Sequence, residues 1–237
     1  MNRILALAII LAAAFALFYY SAATPPELPV SAPATAFSAG RAMDDDAALA
    51  PVAHPVGSAA NHAVRDRLIA RMTALGLSPR ILRAKSRATR EIGGETWIAG
   101  ADVEDIVGLL PGHNPNAPAL LLMAHYDSVA GSPGAADDIA GVSSILEIVR
   151  ALKVRGVPER DVVVAFTDGE EAGLLGARAF FRLDPVARRV GFVVNLEARG
   201  GGGRAAMFET GPRNGQIIDL YRRTAAMPDS TSLSVFV

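Results

Sequence analysis

Three runs rich in apolar and β-branched residues, 119–124, 161–167 and 190–196, are separated by segments whose apolar positions recur at helical spacing. Runs with so little polar alternation read as strands buried on both faces, and a sheet covered on both faces needs helices on each side. Helical spacing is clearest for Val64, Leu68, Ile69, Met72 and Leu75, which follow Ser58 as an N-cap and precede Gly76 as a stop. A second helix starts near Asp138, places Val142, Ile145, Leu146, Val149 and Leu152 on one face, and ends before Gly156 and Pro158. Segments 96–101, 103–110 and 205–208 are strand-like, and 172–182 and 214–226 helical. The alternation predicts an α/β protein, a three-layer α/β/α sandwich with a mostly parallel, mixed central sheet. The glycine run 200–203 reads as a mobile loop.

The N-terminus carries a second signal. Arg3 precedes an uncharged apolar run, 4–23, that includes Tyr19 and Tyr20 and leads into Pro25, Pro26, Pro29 and Pro33. This predicts three regions: 1–23 as a signal anchor or signal peptide, 24–40 as a Pro/Ala-rich linker acting as an extended spacer, and 41–237 as one globular domain. Ser21, Ala22 and Ala23 could form a cleavage site, but the run is longer than a usual signal core, which favours a retained anchor. With Arg3 on the short side and no further charge until Glu27, the N-terminus is expected inside and the domain outside the cytoplasm, periplasmic or lumenal, and secreted if the segment is cleaved.

Composition narrows the chemistry. A formal net charge of −1 gives no global field for polyanions. Arg65, Arg67, Arg71, Arg80, Arg83 and Lys85 are scattered without aromatic interleaving, read as solvated helix and loop surface, and give nucleic-acid binding no support. There is no cysteine, so thiolate metal sites, disulfides and cysteine nucleophiles are excluded. Any metal must be held by imidazole and carboxylate.

Such groups gather at the ends of the expected strands: His125 and Asp127, then Asp137 and Asp138, Glu170 and Glu171, and Glu197. Ligands sit at strand ends in open α/β sheets. Residues two apart on a strand point the same way, so Asp127 can accept the second N–H of His125 and fix its tautomer. Asp137 and Asp138 also suit a plain helix N-cap, and Glu170 and Glu171 a helix start favoured by the dipole. The functional alternative makes one aspartate a bridge between two cations, and gives the glutamates separate roles, one a ligand and one a base for a metal-activated water. Glu197 ends an expected buried run, where an acid must be paired or coordinated.

At these residues the chain resembles the M28 family of zinc-dependent peptidases, and most closely the membrane-anchored branch that includes endoplasmic reticulum metallopeptidase 1. The matching strings are AHYDSV (124–129), PGAADDIAGV (133–142), FTDGEEAGLLGARAF (166–180) and NLEARG (195–200), with HPVGSAANHAVRDRL (54–68) upstream. The resemblance runs from about residue 49 to 237 and implies a zinc-aminopeptidase-like fold. It implies His125 and Glu197 as ligands, Asp127 bracing the histidine, Asp137 bridging two Zn2+ ions through a cis bond to Asp138, Glu170 as general base and Glu171 as ligand. The reaction implied is hydrolysis of the first peptide bond of a peptide or protein substrate.

The family takes a further histidine ligand downstream of the Glu197 position, and no histidine follows here; His54, His62 and His113 lie upstream and match no family ligand. Together with the apolar ending 233–237, which reads like a strand cut short, this leads us to expect a C-terminally incomplete domain that by itself binds one zinc weakly and is inactive. Three alternatives remain at this stage: a non-catalytic ectodomain on the same scaffold, a glutaminyl-cyclase-like acyltransferase with one zinc, and a di-metal carboxypeptidase. The residues leave oligomeric state and substrate preference open.

Overall fold

The computed structural model describes residues 3–198, 204–207, 210–225 and 228–230. The chain divides into two compact units: Glu27–Gly200, and a unit formed by Met1–Pro26 with Gly201–Val237.

In the larger unit, five strands form one mixed sheet in the order β1-β2-β4-β3-β5, where β1 is Arg80–Ile92, β2 Glu95–Leu110, β3 Ala119–His125, β4 Val162–Thr167 and β5 Val190–Asn195. β3 runs parallel to both β4 and β5, whereas the β1–β2 and β2–β4 pairs are antiparallel. Alternate residues of the central strands feed two separate cores. Leu122, Ala124, Val162, Val164 and Phe166 pack with Val64, Leu68 and Met72 of α3 (Ala59–Ala74) and with Val142, Ile145, Leu146 and Val149 of α4 (Ala140–Arg155). Ala119, Leu121, Met123, Val163 and Ala165 face the other way, onto Phe180 of α5 (Leu175–Leu183). Helices therefore cover both faces, which is the three-layer arrangement the apolar strands demand.

Local signals act as read. The Ser58 hydroxyl accepts the Asn61 N–H at the start of α3, and Gly76, at φ +73°, terminates it. Two expectations are corrected. Arg80, Arg83 and Lys85, read as helix and loop surface, lie on β1, which is paired along its whole length with β2 from Arg80↔Val107 to Ile92↔Glu95. Its inward positions are small (Ala84, Ser86, Ala88) and its outward ones charged, so the alternation is real but carries little apolar contrast. Run 190–196, expected to be a buried strand, supplies β5, one edge of the described sheet; among the described residues it pairs with β3 alone, and Val193 and Val194 are exposed.

The later part of the proline-rich stretch is docked. Arg41, on α2 (Ala39–Leu49), donates to the carbonyls of Val30, Ala32, Pro33 and Ala36; Arg150 donates to those of Ala34 and Ala36, and Arg155 to that of Thr35. Buried Glu147 accepts from Arg41, Arg150 and the Ser38 N–H. With six carbonyls captured by three guanidinium groups, residues 30–36 form a strap over α4.

The second unit contains α1, Arg3–Ala22, a mostly apolar helix whose Arg3–Tyr20 stretch is long and apolar enough to cross a membrane by length and composition. Its other described elements are a short parallel pair, β6 (Ala206–Met207) with β7 (Asp229–Ser230), and α6 (Gly215–Thr224). The expected glycine loop at 200–203, residue 208 of the expected strand and the ending 233–237 lie outside the described residues.

Candidate metal and catalytic site

The two parallel strands β3 and β4 end side by side, with His125 paired to Thr167, and the chain leaves each into a loop that starts a helix. His125 and Asp127 follow from β3, Asp137 and Asp138 from the turn Ala135–Ile139 before α4, Glu170 and Glu171 from the loop before α5, and Glu197 from the end of β5. All six expected residues and Asp138 meet at this edge. His125 Nε2 lies 3.0 Å from Asp137 Oδ1, 3.6 Å from Glu197 Oε1 and 4.0 Å from Glu170 Oε2. Two sets, His125–Asp137–Glu171 and His125–Asp138–Glu197, each offer donor atoms within 4.8 Å of one another.

A buried scaffold supports these groups. Asp127, 1% exposed, accepts the Glu170 N–H on Oδ1 at 2.9 Å and the Glu171 N–H on Oδ2 at 3.3 Å, so its carboxylate sets the path of the glutamate pair. Histidine bracing is shared: His125 Nδ1 is 3.0 Å from the Asp127 main-chain oxygen and 3.4 Å from Oδ1. Asp138 accepts the His125 N–H and the Gly141 N–H, joining the histidine strand to the start of α4, and the Asp137–Asp138 peptide is cis. Gly134 permits the loop between them to close, because a Cβ there would stand 2.7 Å from Ser128 Cβ at a φ of +68°.

Sequence reasoning missed the layer beneath. Asp168 accepts from Asn61 Nδ2 and the Glu104 N–H while donating its own N–H to Asp105, which ties β2, α3 and the glutamate loop together. The Tyr126 hydroxyl donates to the Glu104 carbonyl, and the His54 N–H to Ser128 Oγ. Asn61 stands on the same helix as predicted core residues, so only its burial marks it out.

So many carboxylates around one imidazole create a strongly negative pocket. Burial pulls the His125 pKa down, but its hydrogen bonds to Asp127 and Glu197 and the charges of Asp127 and Asp138 overcome it and push it up to about 12. Burial and the charge of Glu197 raise Asp138 to about 8. Burial raises Glu170 and also Glu171, the latter helped by Asp137; in Glu197, burial is outweighed by the His125 hydrogen bond and charge, and its pKa falls. Such a field favours a cation at His125 Nε2. The donor set fits one: tetrahedral ligands at zinc distances stand about 3.3 Å apart, and the observed separations around Nε2 bracket that value.

Fold and site together give an α/β sandwich with one imidazole and several carboxylates, a set able to hold a cation, at the strand ends, the place where open sheets of this class bind ligands. Residues 105–235, more than half of the chain, match the model of peptidase family M28, and the chain belongs to that family. Among curated relatives, a vacuolar membrane protease of Eremothecium gossypii is 36% identical over 169 residues, 66% of this chain and 16% of the relative. One from Candida albicans is 38% identical over 115 residues, 48% of this chain and 14% of the relative. The chain thus spans less than a fifth of the length of these relatives. Among solved structures, a glutaminyl cyclase of Porphyromonas gingivalis superposes with TM-score 0.62 at 22% identity, covering 78% of this chain and 69% of that one. BSAP, a zinc aminopeptidase from Bacillus subtilis, gives 0.57 at 16% identity, covering 69% and 70%. Both likenesses concern the fold.

Proposed function

We propose that this chain carries the site of a zinc-dependent exopeptidase of aminopeptidase type, with two zinc ions per complete site, acting on peptides or proteins outside the cytoplasm from a membrane anchor formed by α1. The observation that carries the reading is the convergence of Asp137 Oδ1 and Glu197 Oε1 on His125 Nε2 at 3.0 and 3.6 Å. His125, Asp137 and Glu197 would hold one cation, and Asp137 with Glu171 would face the second. Bound there, zinc supplies Lewis acidity, polarising the scissile carbonyl and making a water acidic enough to attack near neutral pH.

The chain's own residues do the rest. Glu170 takes the proton of the attacking water on its carboxylate and returns it to the departing amine. Asp127 aims that carboxylate by holding the Glu170 and Glu171 N–H groups, and Asp138 fixes the histidine main chain. Family membership and the names of the curated relatives support a peptidase over a non-catalytic ectodomain; the pairing of Glu170 with Glu171 favours hydrolysis over cyclisation. Arg3 on the short side of α1 supports an extracytoplasmic domain.

Glu170→Gln tests the reading. Metal analysis should find zinc retained, while release of the first residue from a free-amino peptide falls by roughly 10²–10⁴. An N-acetylated peptide should resist cleavage, and a peptide beginning with glutamine should be hydrolysed rather than cyclised. Normal turnover in Glu170→Gln would remove that residue as the base.

A further inference from the structure

β1 and β2 continue past the end of the sheet that holds the site. β2 pairs with β4 from Leu110↔Val162 to Ile106↔Phe166, so residues 95–105 run beyond the last paired residue of β4, and among the described strands β1 is their one neighbour. The result is a two-stranded arm rising from the side of the site. Ala88, Ala99, Arg90, Trp97, Ile92 and Glu95 share one face, because residues directly opposite in an antiparallel pair point the same way. That face belongs to the site's side: Ala88 packs with Ala172 and Leu175, and a Cβ on Gly173 would lie 3.1 Å from Ala88 Cβ. Glu171 is two residues before Gly173. Beyond α5 the same face is bare, with Trp97 59% and Ile92 55% exposed and Arg90 opposite Trp97.

We propose that Trp97 is a specificity-determining residue, and that this face binds an apolar side chain in the departing portion of a peptide whose first bond lies at the metal site. The inference rests on the aminopeptidase reading. Continuity with the glutamate loop identifies the occupant: an extended chain leaving the site past Gly173 runs onto Ala88, Ala99 and Trp97. The turn from Glu171 to Gly173, the contact step from Gly173 to Ala88 and two extended residues from Ala88 to the Arg90–Trp97 pair make a path of about 17 Å, or roughly five extended residues. Arg90 beside Trp97 suits an acidic side chain or a terminal carboxylate at the same distance.

The test compares an aminoacyl p-nitroanilide, too short to reach the arm, with a hexapeptide carrying leucine at its fifth and sixth residues. In Trp97→Ala, KM for the hexapeptide should rise by roughly tenfold, the worth of a partly buried apolar contact, with kcat unchanged and anilide kinetics untouched. Ile98→Ala, on the opposite face and 70% exposed, should leave both substrates unaffected. Because Trp97 is the only tryptophan in the chain, its emission should shift to the blue when the hexapeptide binds zinc-loaded Glu170→Gln protein. Equal losses on both substrates, unchanged KM with no emission shift, or an equal shift on adding phosphatidylcholine vesicles without peptide would each overturn the proposal. If the wild-type chain cleaves neither substrate, the emission titration alone decides the arm: a shift with hexapeptide supports it and none refutes it.

Discussion

Asp105 gives the sharpest energetic prediction. It stands on β2 with no exposure; Oδ1 accepts the Asp168 N–H at 3.0 Å and Oδ2 has no hydrogen-bond partner among the described residues. Burial, reinforced by the charges of Asp168, Asp127 and Asp184, pushes its carboxyl from 3.8 up to about 7. Because the folded pKa is the higher one, the folded chain keeps a proton that the unfolded chain has lost between these values. The resulting stability is fully present below the unfolded pKa and is lost as pH rises through about 7. A gap of about three pKa units corresponds to about 4 kcal/mol in all, of which about 3 kcal/mol falls between pH 5 and pH 8. Asp105→Asn mimics the protonated form and cannot titrate. Urea unfolding of wild type and variant, followed by circular dichroism in matched detergent at pH 5, 6, 7 and 8, should show the variant gaining on wild type by about 3 kcal/mol across that span. Titrations elsewhere cancel in the difference, apart from that of Asp168, which broadens it. Two curves that stay parallel within about 0.5 kcal/mol at every pH would refute the argument that an uncompensated buried carboxylate lies under the site.

Other perturbations follow from the same geometry. Asp127→Ala frees the Glu170 and Glu171 N–H groups and should lower zinc affinity by about 10–100-fold, measured by competition with a chelating dye; unaltered affinity would mean the glutamate loop holds its path unaided. Glu147→Ala leaves Arg41 and Arg150 without their shared carboxylate and should destabilise the larger unit by about 2–4 kcal/mol, with faster proteolytic cutting in 28–38; an unchanged digest would show that the strap is held by the carbonyl contacts alone. Phe166→Ala, in the wholly buried centre of β4, should reduce unfolding free energy by about 3–5 kcal/mol in a urea titration, and a loss under 1 kcal/mol would contradict the close packing around it.

Much of the site was legible before any coordinates because its parts are local. His125, Glu171 and Glu197 follow strand-like runs and Asp137 precedes a helical one, each with its own periodicity, and the ends of strands in an α/β sheet share one edge. Asp127 was legible as a partner for the histidine, but its hold on two backbone N–H groups more than forty residues away was not, since no spacing encodes a contact of that range. Asp105, Asp168 and Asn61 carry ordinary polar identities at positions where only burial makes them significant.

The sequence by itself determined the layers, since residues such as Val142, Ile145, Leu146 and Val149 define a helix face, and uninterrupted apolar runs define strands, whatever they pack against. It also determined which side chains could coordinate a cation, because the chain offers no cysteine and few histidines. Only the tertiary structure decided which strand lay at an edge, that residues 80–92 pair into a projecting arm, and that residues 30–36 are strapped to α4. Those outcomes depend on hydrogen bonds and charge pairs between distant segments, whose partners are chosen by the assembled sheet rather than by neighbours in the chain.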